Sequence, residues 1–177
     1  MQPDPELIER LRRSGIRIDR EGQFIHEGEP VRHEGLRQAL FRWLDRLDQP
    51  GELDPQAQVQ VPADVRYILR LDERRFAYID VDDTPLVVRA LRLEPQGTVA
   101  LQLSDGAEES LDPTTLTIDS EGVLRCWVRG GRIEARLATS AAAVLADRIT
   151  ETTLGPALSW PGHPPLQPLA KRRGSRP

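Results

Sequence analysis

The sequence predicts an α+β fold, in which an N-terminal hairpin-plus-helix unit joins an antiparallel, partly closed, barrel-like sheet with one further helix. Three observations support this class. Apolar residues recur at helical spacing in residues 33–47 and again in residues 139–150. Between these segments, short alternating runs are separated by Pro, Gly and Asp turn signals, which is typical of antiparallel sheets and barrels rather than of βαβ units.

The N-terminal part is predicted to contain two helices and a hairpin. Residues 5–14 carry apolar side chains on one side and charges on the other, which indicates a short helix. The strands of the hairpin lie at residues 16–19 and 24–26, and a second tight turn follows at 28–30. The longer helix, residues 33–47, has a single apolar stripe consisting of Leu36, Leu40, Trp43, Leu44 and Leu47.

The middle of the chain is predicted to be almost entirely strand. Its runs are short and bounded by turn residues, so neighbouring strands are expected to pair through hairpins. The predicted strands lie at residues 59–61, 65–71, 75–81, 86–93, 98–103, 116–118, 123–128 and 133–137.

A second helix at residues 139–150 and a C-terminal hairpin within residues 157–169 complete the predicted elements. We expect the chain to be organised in four parts. The first part is an N-terminal helical extension at residues 1–14, and the second contains the hairpin, helix and first strands at residues 15–94. The third part contains the second strand group with its helix and C-terminal hairpin at residues 95–170. The fourth is a disordered basic tail at residues 171–177.

The composition excludes several kinds of chemistry. Of the 24 basic residues only Lys171 is a lysine, and it lies near the C-terminus, so Schiff-base enzymes and P-loop phosphate sites are excluded. Cys126 is the only cysteine, which rules out an intramolecular disulfide and a structural zinc site. Many Arg, Ala and Pro residues with no Asn are typical of a G+C-rich bacterial genome.

The charge balance and the N-terminus indicate a location and a class of partner. We predict a cytoplasmic protein, because no signal peptide is recognisable and no apolar run reaches the ~18 residues of a membrane helix. A net charge of −4 does not favour binding to nucleic acid or to an anionic membrane. A protein partner or a small ligand fits better, while the oligomeric state has no sequence signal.

Three short stretches resemble an uncharacterised bacterial protein family that is catalogued only as a domain of unknown function. They are Ile-Asp-Arg-Glu-Gly-Gln-Phe at residues 18–24, Gly-Glu-Pro-Val at 28–31 and Val-Asp-Asp-Thr-Pro-Leu-Val at 81–87. The closing Leu-Ser-Trp at residues 158–160 is similar to the end of uncharacterised vertebrate proteins. The resemblance covers about residues 15–169 and implies a two-part α+β fold with a small β-barrel, but no activity.

The candidate catalytic or metal-binding residues are Asp80, Asp82 and Asp83, with Tyr78 or His26 assisting. Alternation along the predicted strand places two aromatic and two acidic residues on the outer face, namely Phe76, Tyr78, Asp80 and Asp82. The remaining residues point toward the core, namely Ala77, Ile79 and Val81. Close carboxylates bind hard cations such as Mg²⁺ or act as an acid and a base. This hypothesis is a metal-assisted hydrolase with a divalent cation.

The alternative is that the same aspartates are structural. Aspartate before Thr-Pro commonly accepts backbone hydrogen bonds in turns. Arginines on the neighbouring predicted strands are available for ion pairs, namely Arg66, Arg70 and Arg89. The glycine and closing glutamate of an EF-hand loop are missing, so a Ca²⁺ signature is absent. The sequence favours this structural interpretation, and no cofactor is predicted.

Other nucleophilic and metal-binding patterns are missing from the sequence. The histidines at positions 26, 33 and 163 are scattered and lack metal-type spacing. Alternation points Cys126 inward between Leu124 and Val128, which indicates a packed thiol rather than a reactive one.

The opposite face of that strand predicts a ligand or partner surface. Arg125, Trp127 and Arg129 project together, and Arg132 lies close by across the hairpin with Arg136. Arginines around an exposed aromatic bind acidic peptides or single-stranded nucleic acid on curved sheets. Alternatively, Trp127 packs under the second helix. The leading hypothesis is therefore a non-catalytic interaction or ligand-binding module, with the carboxylate enzyme and single-stranded nucleic-acid binding as alternatives.

Overall fold

The computed structural model describes residues 12–47, 62–72, 75–95, 98–153 and 155–159, and the backbone of residues 53–54, 59–60 and 170–171. The chain forms two compact units, Met1–Pro85 and Leu86–Pro177. The predicted α+β class with a partly closed, barrel-like sheet is confirmed. The strand at residues 86–93 belongs to the second unit. The four-part organisation stays a prediction.

The first unit is built on a six-stranded mixed sheet. Its elements are β1 (Arg13–Ile18), β2 (Phe24–His26), β3 (Glu29–Pro30), α1 (Glu34–Trp43), β4 (Leu44–Arg46), β5 (Leu53–Asp54), β6 (Val59–Gln60), β7 (Tyr67–Arg70) and β8 (Phe76–Val81). The strand order is β3-β2-β1-β8-β7-β4, while β5 and β6 form a separate pair. The β1 and β8 strands pair in parallel, which joins the predicted hairpin to the strand that ends at the aspartates.

Helix α1 is shorter than the sequence predicted. It starts after His33, whose Nδ1 accepts a hydrogen bond from the backbone N–H of Leu36. It ends at Trp43 rather than at residue 47, because Leu44 is extended and begins the strand that pairs with β7. Phe41 is buried against Phe24, with ring centroids 4.7 Å apart.

The prediction of the apolar stripe of α1 was therefore partly wrong. Leu36 is 44% exposed, whereas Phe41, which was not assigned to the stripe, is buried. The predicted N-terminal helix also needs correction at its end, since Arg13 and Ser14 lie in β1. Arg12 is helical, and residues 5–11 of that predicted helix lie outside the described residues.

The second unit is built on a seven-stranded sheet that curls into a half-barrel. Its elements are β9 (Leu86–Leu93), β10 (Val99–Leu103), β11 (Glu108–Ser110), a 3₁₀ turn (Pro113–Thr115), β12 (Thr117–Ile118), β13 (Leu124–Val128), β14 (Ile133–Leu137), α2 (Thr139–Ala146), β15 (Ile149–Thr152), β16 (Gly155–Leu158) and β17 (Ala170–Lys171). The order of the sheet is β11-β10-β9-β14-β13-β12-β17, and β15 pairs with β16.

One face of the half-barrel forms an apolar core. Alternate residues of its central strands are buried there, as the period of two requires: Leu86, Val88, Val99, Leu101, Leu103, Leu124, Cys126, Val128, Ile133, Ala135 and Leu137. Helix α2 contacts β9 and β14 and buries Ala141 and Leu145. Neither helix of the described residues is long and apolar enough to cross a membrane.

Several boundaries in the second unit differ from the sequence-based prediction. Helix α2 ends at Ala146, and residues 149–152 turn into a strand that pairs with β16. The β14–β9 and β12–β17 pairs are parallel, although turn signals between neighbouring strands indicate only hairpins. Lys171, which the sequence assigned to the tail, lies in β17. The predicted C-terminal hairpin falls largely on residues 160–169, outside the described residues.

The two units contain the same short turn, 100 residues apart. Residues 18–24 and 118–124 share the pattern Ile-Asp-x-Glu-Gly, an internal repeat that our sequence analysis did not identify. In each copy the aspartate Oδ1 accepts the backbone N–H groups two and four residues later, at 3.0 and 2.8 Å for Asp19 and at 2.9 and 2.9 Å for Asp119. Gly22 and Gly122 supply the positive φ that closes the turns.

The second copy of the turn has an additional contact. The second carboxylate oxygen of Asp119 accepts hydrogen bonds from the Arg125 guanidinium at 2.9 and 3.1 Å. The side chains of this pair are only 14% and 7% exposed. Burial raises the pKa of Asp119, but hydrogen bonds from Val123, Arg125 and Glu121 and the charge of Arg125 outweigh burial. The pKa therefore lies below its ordinary value of 3.8.

We predict that Asp119→Ala destabilises the protein far more than Asp19→Ala. Both variants lose two turn hydrogen bonds, which costs about 1–3 kcal/mol. Only Asp119→Ala also leaves a buried guanidinium without its carboxylate, for a total of about 3–5 kcal/mol. Urea unfolding followed by circular dichroism measures both variants. Equal losses would show that the ion pair adds nothing to the turn.

The lowered pKa of Asp119 also predicts a pH dependence. A carboxyl group whose pKa is lower in the folded state stabilises the fold fully above its unfolded pKa of 3.8 and loses this contribution as the pH falls through its folded pKa. The difference in unfolding free energy between the wild type and Asp119→Asn should therefore shrink between about pH 5 and pH 3. A constant difference would contradict the assignment.

Candidate functional site

The three candidate aspartates lie at and just after the end of β8, but they have different surroundings. Asp80 is exposed, and its register partner is Arg17 of the parallel strand β1. Asp82 accepts a hydrogen bond from Arg17 Nη1 at 2.5 Å, and its backbone N–H donates to the carbonyl of Ile18 at 3.0 Å. Asp83 is half-buried. The strand end is thus tied to the hairpin of the first unit.

The ion-pair partner differs from those that the sequence suggested. Arg66, Arg70 and Arg89 were named as available partners of the aspartates, whereas Asp82 pairs with Arg17. Arg70 Nε instead contacts Asp45 Oδ2 at 2.9 Å across β7 and β4. The parallel pairing of β1 with β8, which has no local sequence signal, causes this change.

The predicted outer face of β8 was wrong for its aromatic residues. Phe76 and Tyr78 are 5% and 6% exposed and form a hydrophobic cluster with Leu47 and Ile68. Ile79, on the other side of the strand, is also buried. Both faces of β8 are therefore covered in its first half. The Tyr78 side chain is therefore too buried to act as an acid or base on a solvent-borne substrate unless the cluster opens. Asp80 and Asp82 are accessible to solvent.

The described residues do not assemble a metal centre from these groups. No cluster of three or more His, Cys, Asp or Glu side chains within the described ranges is placed to hold a metal ion. His26 is exposed in β2, and His33 caps α1. The third histidine, His163, lies outside the described residues.

The polar face of the half-barrel brings together the predicted partner-binding residues of β13 and β14. Arg125 lies opposite Arg136, and Trp127 lies opposite Glu134, so these four side chains share one face. Arg125 was predicted to project from this face, but it is 6% exposed and paired with Asp119. Trp127 is half-buried, and Glu134 is buried. Arg125 therefore holds the surface together rather than projecting from it.

The end of the β13–β14 hairpin is fixed by Arg129. This residue adopts a φ of +52°, a conformation that non-glycine residues rarely take. Its backbone N–H donates to Glu109 Oε2 at 2.7 Å, and its Nη2 donates to Asp105 Oδ2 at 2.7 Å. The Asp105 side chain is only 6% exposed. These contacts hold the hairpin against the β10–β11 turn and leave the next residues of the hairpin, including Arg132, exposed.

Sequence reasoning missed the three acidic residues that organise this surface. Asp105, Glu109 and Asp119 stand in turn or edge positions, where acidic residues normally face solvent. The Asp-x-Glu-Gly turn pattern was a usable signal for Asp119 alone. The contacts of Asp105 and Glu109 with Arg129 join residues 24 and 20 positions apart, respectively, and depend on the fold itself.

Cys126 lies in the core of the half-barrel and is fully buried, as the alternation predicted. Burial, followed by the negative charges of Glu109 and Glu134, raises the pKa of its thiol to about 12. The thiolate is therefore almost absent at neutral pH, and the residue is suited to packing rather than to nucleophilic chemistry.

These features define the class of the protein. It is a two-unit α+β protein with an ordered surface on its half-barrel, formed by Arg125, Trp127, Arg129 and Arg132 and called the Arg/Trp surface below. No metal cluster is found among its described residues. Comparison with known proteins bears only on the fold. No protein-family model matches the chain, and no curated protein matches it.

Solved structures of DUF1285 family proteins share the fold. The protein from Silicibacter pomeroyi DSS-3 is 17% identical, with a TM-score of 0.66 over 89% of this chain and 81% of the other. The protein from Shewanella baltica OS155 is 13% identical, with a TM-score of 0.56 over 75% and 90%. The predicted resemblance to a bacterial family of unknown function is confirmed at the level of the fold. The similarity to vertebrate proteins stays a prediction.

We predict that Asp82→Ala has a small effect on stability. We also predict that Mg²⁺ does not raise the melting temperature of the wild type relative to that of Asp82→Ala. Arg17 and Asp82 are 45% and 33% exposed, and ion pairs at such positions contribute about 0–1 kcal/mol. Thermal unfolding with and without MgCl₂ measures both effects. A Mg²⁺-dependent stabilisation of the wild type that disappears in Asp82→Ala would instead support a metal site.

We also predict that Cys126 does not react with thiol reagents in the folded protein at pH 8. A thiol pKa near 12 lowers the thiolate fraction by about 1000-fold relative to an exposed cysteine, and burial blocks access as well. The absorbance change with Ellman's reagent, recorded in buffer and in 6 M guanidinium, measures the rates. A comparable rate in both solutions would show that the half-barrel core is open.

Proposed function

We propose that this chain is a non-catalytic interaction module of the bacterial cytoplasm that binds an acidic segment of a protein partner on the half-barrel. The observation that carries the proposal is the position of Trp127. It is a half-buried aromatic on a curved sheet, next to Arg125 on its own strand and opposite Glu134 on the adjacent strand. Arginine and tryptophan are the residues that most often dominate the energetics of protein interfaces.

The fixed geometry around Trp127 supports this proposal. Arg125 is held by Asp119, and Arg129 is held by Asp105 and Glu109. The binding surface is therefore ordered before a partner arrives, which lowers the entropy lost on association. Arg132 is exposed at the end of the same hairpin and brings positive charge to a protein that is acidic overall.

The surroundings of the β8 aspartates give the enzyme alternative less support. Acid–base or metal chemistry needs carboxylates directed at one reacting centre. Here Asp82 contacts an arginine, Asp80 faces solvent and Tyr78 is packed in a cluster. The acidic net charge does not favour a long polyanion such as single-stranded nucleic acid, so a short acidic segment is the proposed occupant of the Arg/Trp surface.

The test uses fluorescence anisotropy with labelled Glu-rich, neutral and Lys-rich peptides and a single-stranded oligonucleotide. We expect the wild type to prefer the Glu-rich peptides, with binding that weakens as salt rises. Trp127→Leu and Arg132→Gln should each weaken binding by about tenfold, since each removes about 1–2 kcal/mol of contact.

The matched control is Arg20→Gln, which removes one exposed positive charge in the turn of the first unit. It should bind like the wild type. Equal losses in Arg20→Gln and Arg132→Gln would show that only net charge matters. Tighter binding of the oligonucleotide than of any peptide would replace the proposed partner, and no binding of any probe would overturn the proposal.

A further inference from the structure

Arg12, at the start of the described chain, is as buried as Arg125 but has no comparable acidic partner among the described residues. Each of the two arginines is 6% exposed. Arg125 contacts the carboxylate of Asp119 at 2.9 and 3.1 Å. Arg12 makes no ion pair with a described residue, and its Nη1 is a buried donor without a hydrogen-bond acceptor among them. A buried charge without a counter-charge costs several kcal/mol.

The contact that Arg12 does make leaves this requirement unmet. The guanidinium carbon lies 3.9 Å from the centre of the Phe76 ring. Such stacking satisfies the flat face of the guanidinium, whereas its N–H groups point outward in the plane and still need acceptors. The aromatic ring therefore orients the guanidinium without neutralising it.

A second arginine approaches the same ring. The guanidinium carbon of Arg70 lies 6.0 Å from the Phe76 centroid. Its charge is met by Asp45, at 2.9 Å from Nε. Two guanidinium groups thus approach one aromatic side chain, and the carboxylate of Asp45 pairs with Arg70. Phe76, which both guanidinium groups approach, packs in a cluster that also buries Tyr78 and Ile68.

We propose that Arg12 is the centre of an anion site in the first unit, which binds a small oxyanion such as a carboxylate or a phosphate group. An oxyanion accepts in-plane N–H groups of a guanidinium, often two at once, and supplies the missing negative charge. Phe76 holds the guanidinium in place, and Arg70 adds attraction at longer range. The site lies in a different unit from the Arg/Trp surface and does not depend on the proposed partner.

The test is the thermal stability of the full chain in inorganic phosphate, acetate or chloride at constant ionic strength. A ligand that binds only the folded state should raise Tm by about 3–6 °C at tenfold above its Kd. We expect phosphate or acetate to raise Tm relative to chloride, and Arg12→Gln to abolish the rise. Phosphate alone would identify a phosphoryl ligand, and acetate as well would identify carboxylates.

Arg20→Gln is again the matched control, because it removes the same charge from an exposed turn of the same unit. It should keep the full anion effect. If Arg12→Gln does not fold, Arg12→Lys keeps the charge but loses the in-plane geometry, and it should show a smaller rise than the wild type. Equal Tm values in all three salts, or an unchanged phosphate effect in Arg12→Lys and Arg12→Gln, would overturn the proposal.

Discussion

The second unit depends on the neutralisation of Arg125. The register of β13 and β14 places Arg125 directly opposite Arg136, so that two like charges share one face of the sheet at close range. Asp119 compensates this arrangement from the turn that precedes β13, and the same carboxylate closes that turn. One side chain therefore closes the β12–β13 turn and neutralises Arg125 next to Trp127. A buried pair of this kind contributes through the cost of breaking it more than through a gain over an apolar pair.

The parts of the fold that the sequence predicted are those encoded by neighbouring residues. The hairpins at Asp19, Asp119 and Gly130 follow from turn chemistry, and the inward position of Cys126 follows from simple alternation. The ends of the helices were harder, because Leu44 has good helical spacing and yet gains more from pairing with Leu69 in β7. Tertiary pairing overrides local propensity at such positions.

The candidate sites were less predictable than the fold, because they depend on pairs that are distant in sequence. The parallel pairing of β1 with β8 brings Arg17 next to Asp82, 65 residues away in the sequence. No local turn signal predicts this pairing. Phe76 and Tyr78 were assigned to the outer face because a strand has two faces and sequence alternation alone does not show that both are covered. Asp105 and Glu109 are partners of Arg129 because the fold brings the β10–β11 turn next to the end of the β13–β14 hairpin.

The repeated Ile-Asp-x-Glu-Gly turn has a consequence for how the molecule folds. Each copy closes a hairpin through contacts within a few residues, so its formation costs little loop entropy and needs no help from distant parts of the chain. One copy lies in each unit. We expect the chain to have two independent local nuclei, one per unit, from which the slower parallel pairings of β1 with β8 and of β9 with β14 are completed. Damage to one turn should then delay its own unit first and leave the early steps of the other intact.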